Sequence, residues 1–372
     1  MTAEAKKEPR AFASWLSSLP EKLIPVLAVV TALAIGAIVI WATKASVVKA
    51  YRGLIEGALF GVTNFTETLV IATPYTLAGL AVALASRCGL FNIGAEGQFY
   101  MGALFAVYIG FAVKGLPAVV HLPLAVLAGA LGGAVWGAIP GILKAKLGAH
   151  EVTNAIMLNY IAVKVVDYVV KNPFRDRTST IPRTPYILPT ATLPRLLTDH
   201  RVHAGLLIAI AAVFVVYWLL WKTTLGFELR MTGSNPNAAR YAGVNITRNT
   251  VIAMALSGAL AGIAGTFEIL GVSTCRCMQL FFSSGYGFDS IAIALLAKNN
   301  PFGIIVSALL FGAMRNGADF MELNSGVSKY IISLIQALLL LFVAAPSIIR
   351  GIYRMRAPKQ EEEMVEARGW GR

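Results

Sequence analysis

The chain has 372 residues, 57% of them hydrophobic and only 14% charged, with a mean hydropathy of +0.68. A soluble globular domain carries about 25% charged residues, so this composition excludes one and defines a polytopic α-helical membrane protein. The net charge of +13 reads in such a chain as the positive-inside bias rather than as a nucleic-acid surface.

The first 22 residues form a basic, polar tail, expected to be cytoplasmic. The apolar run 23–42 that follows is too long for the apolar core of a signal peptide and reads as a retained anchor. Further candidate spans fall at 68–86, 97–114, 119–143, 152–170, 204–221, 249–271, 285–297, 301–317 and 328–346, about ten in all. The stretch 54–67 before the second span has a soft boundary. The eighth and ninth spans are short, separated by Lys298-Asn299-Asn300-Pro301, and could be half-helices. With the N-terminus inside, inside segments hold 18 Lys and Arg against 11 outside, which favours both termini cytoplasmic. The outside loop 171–203 weakens that bias, because it is itself basic and proline-rich. The expected organisation is a tail at 1–22, a transmembrane domain at 23–346 and a charged, solvated tail at 347–372.

Between the second and third spans lies Leu90-Phe91-Asn92-Ile93-Gly94-Ala95-Glu96-Gly97-Gln98. An acid and an amide at membrane depth are costly and mark a functional site by default. The clustered glycines permit irregular backbone, tolerated there only inside protein or beside a water-filled cavity. In the next span Gly129, Gly133, Gly137 and Gly141 recur every four residues, as do Gly258 and Gly262 later, a spacing that lets helices pack closely. Lys164 and Asp167 stand three apart on one helix face and are expected to neutralise each other. Glu268 and Arg315 are intramembrane candidates with no assigned partner.

The inside segment 222–248 carries a short capped unit. Asn235 is a preferred N-cap, Pro236 suits the first helical position, and Gly243 suits the position past the end, which delimits a helix over about 236–242. It is either a knob for a partner protein or an ordinary capped loop. Further on, Asp289 opens an apolar run, where it either complements a helix dipole or faces a substrate path.

The remaining chemistry is sparse. No G-x-x-x-x-G-K-[ST] loop is present, so ATP is not hydrolysed here by that route. The four histidines form no metal or triad pattern, and no cofactor or catalytic residue is expected. Three cysteines, Cys88, Cys275 and Cys277, fit neither a disulfide framework nor a zinc spacing and read as small apolar filler.

Four segments together resemble the permeases of nucleoside-type ABC importers, in the superfamily of the ribose and branched-chain amino acid permeases. They are the 90–98 motif, His150 to Ile161, Gly233 to Gly243 followed by Ala253 to Gly262, and Gly285 to Asp289 followed by Ala292 to Pro301. The resemblance spans about residues 65–345. It implies a multi-pass subunit of a prokaryotic cell membrane that works by alternating access. The partners it implies are a cytoplasmic ABC ATPase with two nucleotide-binding domains, a second and unlike permease, and an extracellular or periplasmic binding protein. Substrate-pathway positions carried over on the matching motifs are Asn92, Glu96, Gln98, Asn159 and Asp289. ATPase-coupling positions are Asn235, Pro236, Asn237, Arg240, Tyr241 and Gly243. Residues 273–284 depart from the family pattern with Cys275-Arg276-Cys277-Met278 and Phe281-Phe282, which leaves nucleosides, riboflavin and simple sugars as substrate classes. An ion-coupled carrier energised through Glu96 and Asp289 is the main rival reading, and a membrane scaffold is a third.

Overall fold

The structure, a computed structural model, describes residues 11–354. Fourteen α-helices follow one another: α1 (Ala11–Ala42), α2 (Val47–Leu59), α3 (Val62–Arg87), α4 (Ala95–Ala112), α5 (Ala118–Leu147), α6 (Glu151–Lys171), α7 (Gly205–Lys222), α8 (Thr224–Ser234), α9 (Pro236–Tyr241), α10 (Ile246–Phe267), α11 (Tyr286–Leu296), α12 (Pro301–Ser325), α13 (Tyr330–Ala344) and α14 (Pro346–Ile352). The described residues form no extended strands, so the expected all-α class is the observed one. Residues 1–10 and 355–372 of the two expected tails lie outside the described residues. The expected tail boundaries fall inside helices, since α1 begins at Ala11 and α14 occupies the start of the C-terminal tail.

Among the described residues, seven helices are long and apolar enough to span a membrane: α1 from Leu23, α3, α5, α6, α7, α10 with its continuation to Val272, and α12. An eighth, α13 with α14, is bent by 93°. The other two expected spans fall short for separate reasons. The first turn of α4 carries Glu96 and Gln98, which lowers its hydropathy. The eleven residues of α11 reach about 16 Å at 1.5 Å each, roughly half of a 30 Å hydrocarbon core. Helix α11 is therefore a half-helix, whereas α12, with 25 residues, is a full span. Backbone geometry sets the length of α11. Gly285 before it has φ +90°, and Lys298 and Asn299 after it both adopt left-handed conformations.

The centre of the bundle is α3, whose apolar window is 89% buried, against 28% for each of α5, α6 and α7. A helix apolar on all sides belongs inside, and α3 sits among α10, α11, α12 and α7. The glycine repeats have a direct structural use. A Cβ on Gly133 would lie 2.2 Å from the Gly258 carbonyl oxygen, and one on Gly262 would lie 2.4 Å from the Gly129 carbonyl oxygen. Helices α5 and α10 thus touch backbone to backbone, and any side chain at the seam would force them apart.

The soft stretch 54–67 holds the end of α2, a turn and the start of α3, and α2 is seated on α12 through Gly53 and Gly57. Asn316 of α12 fixes the α2–α3 turn by donating to the carbonyls of Gly57 (3.0 Å) and Asn64 (2.8 Å). The loop 172–204 is pinned at one end by Phe174, which stacks on Tyr108 at 5.1 Å. Within the loop, hydrogen bonds from Thr178 and the guanidinium of Arg183 at 3.2 Å hold the Asp176 carboxyl below its ordinary range. Cys88 is buried apolar filler as expected, but Cys275 and Cys277 are bridged by a disulfide that closes a tight loop with Arg276 alone between them.

Candidate functional site

Residues 88–94 form an irregular turn between α3 and α4, and hydrogen bonds hold it in place. Asn92 Nδ2 donates to Gln98 Oε1 (2.8 Å) and to Ser257 Oγ (2.7 Å), and Gln98 Nε2 donates back to Asn92 Oδ1 (3.1 Å). Asn159 accepts from the Gly97 N–H (2.8 Å) and donates to the Ile93 carbonyl (2.9 Å). Buried polar groups must be paired, and these three amides pair with the turn and with one another. Their chemistry is used in fixing the backbone, with Ser257 of α10 relaying the turn to the Ala81 carbonyl of α3 (2.6 Å).

Glu96 points the other way. Its Oε2 accepts the Gly287 N–H at 2.6 Å. A Cβ on Gly287 would lie 2.3 Å from the Glu96 nitrogen and 2.7 Å from Oε2, so only glycine lets α11 begin against α4. Two residues on, Asp289 Oδ2 accepts from Tyr75 Oη (2.6 Å), which itself accepts from Arg315 Nη1 (2.8 Å). The Arg315 guanidinium lies over the Tyr286 ring at 4.4 Å, and the Tyr75 and Tyr286 rings are 4.5 Å apart. Glu268, in a π-turn at Glu268–Val272 that ends α10, is buried with Arg315 and Tyr286 as neighbours, and its Oε2 has no hydrogen-bond partner. Three buried carboxyls therefore surround one guanidinium. A π-turn carrying such a group is a frequent mark of a functional site.

This network borders a cavity of about 590 Å³ between α11, α12 and α13, within the range of small-molecule pockets. Asp289, Arg315, Ser284 and Gln336 line it, and Gln336 Nε2 is a buried donor without a partner. The Lys329–Asp319 ion pair, 3.0 Å, lies at the same cavity. Of the five pathway positions, only Asp289 lines this cavity. Glu96 lies one layer behind, and Asn92, Gln98 and Asn159 belong to the turn. Tyr75, Tyr286 and Gln336 escape the sequence reading. Gln336 alone left a visible signal, as a lone amide in the apolar run of α13.

The expected Lys164–Asp167 pair does not form. Asp167 is buried and its Oδ1 is unpartnered, whereas Lys164 is exposed among Tyr160, Ile161 and Tyr168. The two positions straddle the edge of the buried stripe of α6, so three-residue spacing separates them instead of joining them.

At the other end of the bundle the capped unit is α9. Asn235 accepts from the Ala238 N–H at 3.1 Å, Pro236 is the first helical residue, and Gly243 has φ +81°. Tyr241 is 95% exposed, and Arg240 is exposed beside it. Helix α8, directly before α9, abuts the 88–94 turn: a Cβ on Gly233 would lie 2.4 Å from the Arg87 carbonyl oxygen and 2.7 Å from the Gly89 nitrogen. A short surface unit is thereby in backbone contact with the turn that positions Glu96.

A helical bundle with an internal polar cavity, a buried charge network and a short capped helix at its surface is an architecture suited to a transport permease. Residues 64–344 match the family described as branched-chain amino acid transport system / permease component, and the chain belongs to that family. It is 41% identical to the guanosine ABC transporter permease protein NupP of Bacillus subtilis over 89% of this chain and 95% of that one. It is 38% identical to the glucose ABC transporter permease protein TsgB13 of Haloferax volcanii (92% and 91%). It is 34% identical to the nucleoside ABC transporter permease protein NupB of Lactococcus lactis (88% and 92%). No solved structure matches. The chain is thus a multi-pass ABC transporter permease subunit, with ATP hydrolysis residing in a separate subunit. Neither the ion-coupled carrier nor the scaffold is supported by these relatives.

Proposed function

We propose that this permease imports nucleosides, with the α11–α13 cavity as part of its translocation path. The observation that carries the proposal is the Asp289–Tyr75–Arg315 network on the cavity wall, opposite the unpartnered Gln336 amide. A carboxylate, a guanidinium and an amide are complementary to the hydroxyls and base edges of a nucleoside. The two nucleoside-type relatives at 41% and 34% identity support that substrate class. The 38% identity to a glucose permease supports a second reading, a simple sugar, whose hydroxyls the same groups would suit.

The cavity is open along Tyr330, Ser333 and Ala337, an exposed stripe of α13. A polar groove left to lipid is costly, and a second permease subunit would close it. Relatives occur as two different permeases in one organism, NupP with NupQ and NupB with NupC, which supports an unlike partner. The ATPase would dock on α9 and drive alternating access through the Gly233–Gly89 contact, and a binding protein would deliver substrate to the opposite face. Uptake of labelled guanosine, glucose and riboflavin, measured in cells with and without this chain alongside its partner subunits, tests the substrate. Guanosine uptake that depends on the chain is expected. Glucose uptake without guanosine uptake would transfer the assignment to sugars.

A further inference from the structure

A second cavity, of about 200 Å³, lies at the far end of α10, where the 172–204 loop meets the π-turn. Arg195, Arg201, Arg276, His203, Ser273 and Thr274 are among its lining residues. Arg201 is paired with Glu67 at 3.1 Å and also donates to the Val272 carbonyl. Among the described residues, neither Arg195 nor Arg276 has an ion-pair partner, so the lining holds two cations in excess. Arg276 is held at the tip of the Cys275–Cys277 loop in a left-handed conformation, its carbonyl accepting from the Ile187 N–H at 2.9 Å.

The second observation is His203. Its ring is 1% exposed. Nδ1 accepts from the Gly205 N–H at 3.2 Å, which leaves Nε2 as the protonated nitrogen of the neutral ring. That Nε2 has no partner. The face of the ring packs over Gly271, where a Cβ would lie 2.7 Å from Nε2 and 2.8 Å from Cε1. The missing side chain at 271 lets the ring seat in the cavity wall, where its N–H is a buried donor without an acceptor. An unsatisfied buried donor is destabilising, and here it stands beside guanidiniums whose forked donors match oxyanions.

We propose that this cavity binds a small oxyanion of the phosphate class, held by Arg195, Arg276 and the His203 Nε2–H. The space is below the roughly 300 Å³ at which small-molecule pockets begin, so it takes a phosphate-sized group and not a nucleoside. Occupancy ties the disulfide loop, the 172–204 loop and the π-turn together. The proposal is independent of which substrate the permease carries.

The test uses the full-length chain in phosphate-free maltoside micelles, with thermal unfolding followed as inorganic phosphate replaces chloride at constant ionic strength. The expected result is a saturable upward shift of the midpoint. In the separate Arg195→Ala and Arg276→Ala variants, both at exposed positions, the concentration giving half the shift rises about tenfold or more. Gly271→Ala, whose methyl would displace the His203 ring from the wall, weakens it likewise. Phosphatidylglycerol added to the micelles separates the sources. A shift from the lipid alone, lost in the same two arginine variants, assigns the site to a lipid headgroup phosphate. Phosphate and chloride acting alike, with no variant-sensitive lipid effect, would overturn the site, as would a phosphate shift that both arginine variants retain in full.

Discussion

Gln336 separates stability from function at a single position. Its Nε2 is a buried donor with no acceptor, a state that lowers stability by about 1–3 kcal/mol. Replacement by Leu removes that penalty while keeping most of the volume. Gln336→Leu should therefore unfold at the same temperature as the parent or a few degrees higher, while substrate uptake falls at least tenfold. Uptake at the parental rate would remove Gln336 from the substrate path. His203 makes a pH prediction of its own. Burial, with the Arg201 charge beside it, pushes its pKa down from 6.5 to about 4. The folded state therefore favours the neutral ring, and the contribution is full above pH 6.5 and lost as pH falls towards 4. The shift is worth roughly 3 kcal/mol at most. The thermal midpoint should fall more steeply between pH 6.5 and 4 for the parent than for His203→Gln, and parallel curves would show that the ring carries no such penalty. The polarity of Asn92, Glu96, Asp289 and Arg315 was legible in the sequence because each interrupts an apolar run. Their assortment was not. Whether an amide closes on its own turn or faces a cavity depends on contacts such as Asn92 with Ser257, 165 residues away, and no local pattern encodes these.

Helix α8 meets the 88–94 turn backbone on backbone at Gly233, and only the N-cap Asn235 separates it from α9. On the proposed coupling role, a displacement of α9 would reach the turn through α8 without being absorbed by side-chain rotation. The double variant Arg240→Ala, Tyr241→Ala should fold and insert normally, since both side chains are exposed. It should lose co-purification with the ATPase, or lose stimulation of ATP hydrolysis by loaded binding protein, because such anchors concentrate interface energy. Retention of both would leave α9 a capped loop. Its cap, proline and stop glycine were legible as local signals, and the capped helix follows them to within a residue. The half-helix α11 was visible only as an ambiguity, because an apolar run of that length suits a short span or a broken one. The disulfide between Cys275 and Cys277 was misread as filler, since a lone Cys-x-Cys pair matches no framework spacing and only the loop geometry brings the two together.

At the scale of the whole bundle, burial sorts the helices by surroundings. The interior α3 is shielded, and α5, α6 and α7 present Leu131, Val135, Tyr160, Phe214 and Trp218 outwards, as lipid-facing helices do. Helix α13 differs, because its exposed stripe borders a polar cavity holding Asp289 and Arg315. Lipid is a poor cover for such a groove, so α13 is the face on which a second permease should sit. Cysteines introduced at Ser333 and Ala337 should cross-link to the partner permease in the assembled transporter and react poorly with membrane-dissolved thiol reagents. The same cysteines in this chain expressed alone should react readily, and the chain alone should show no uptake in liposomes. Equal labelling in both preparations would place these residues in lipid. The cavity would then be closed by rearrangement of α13 itself, through the 93° bend that joins it to α14.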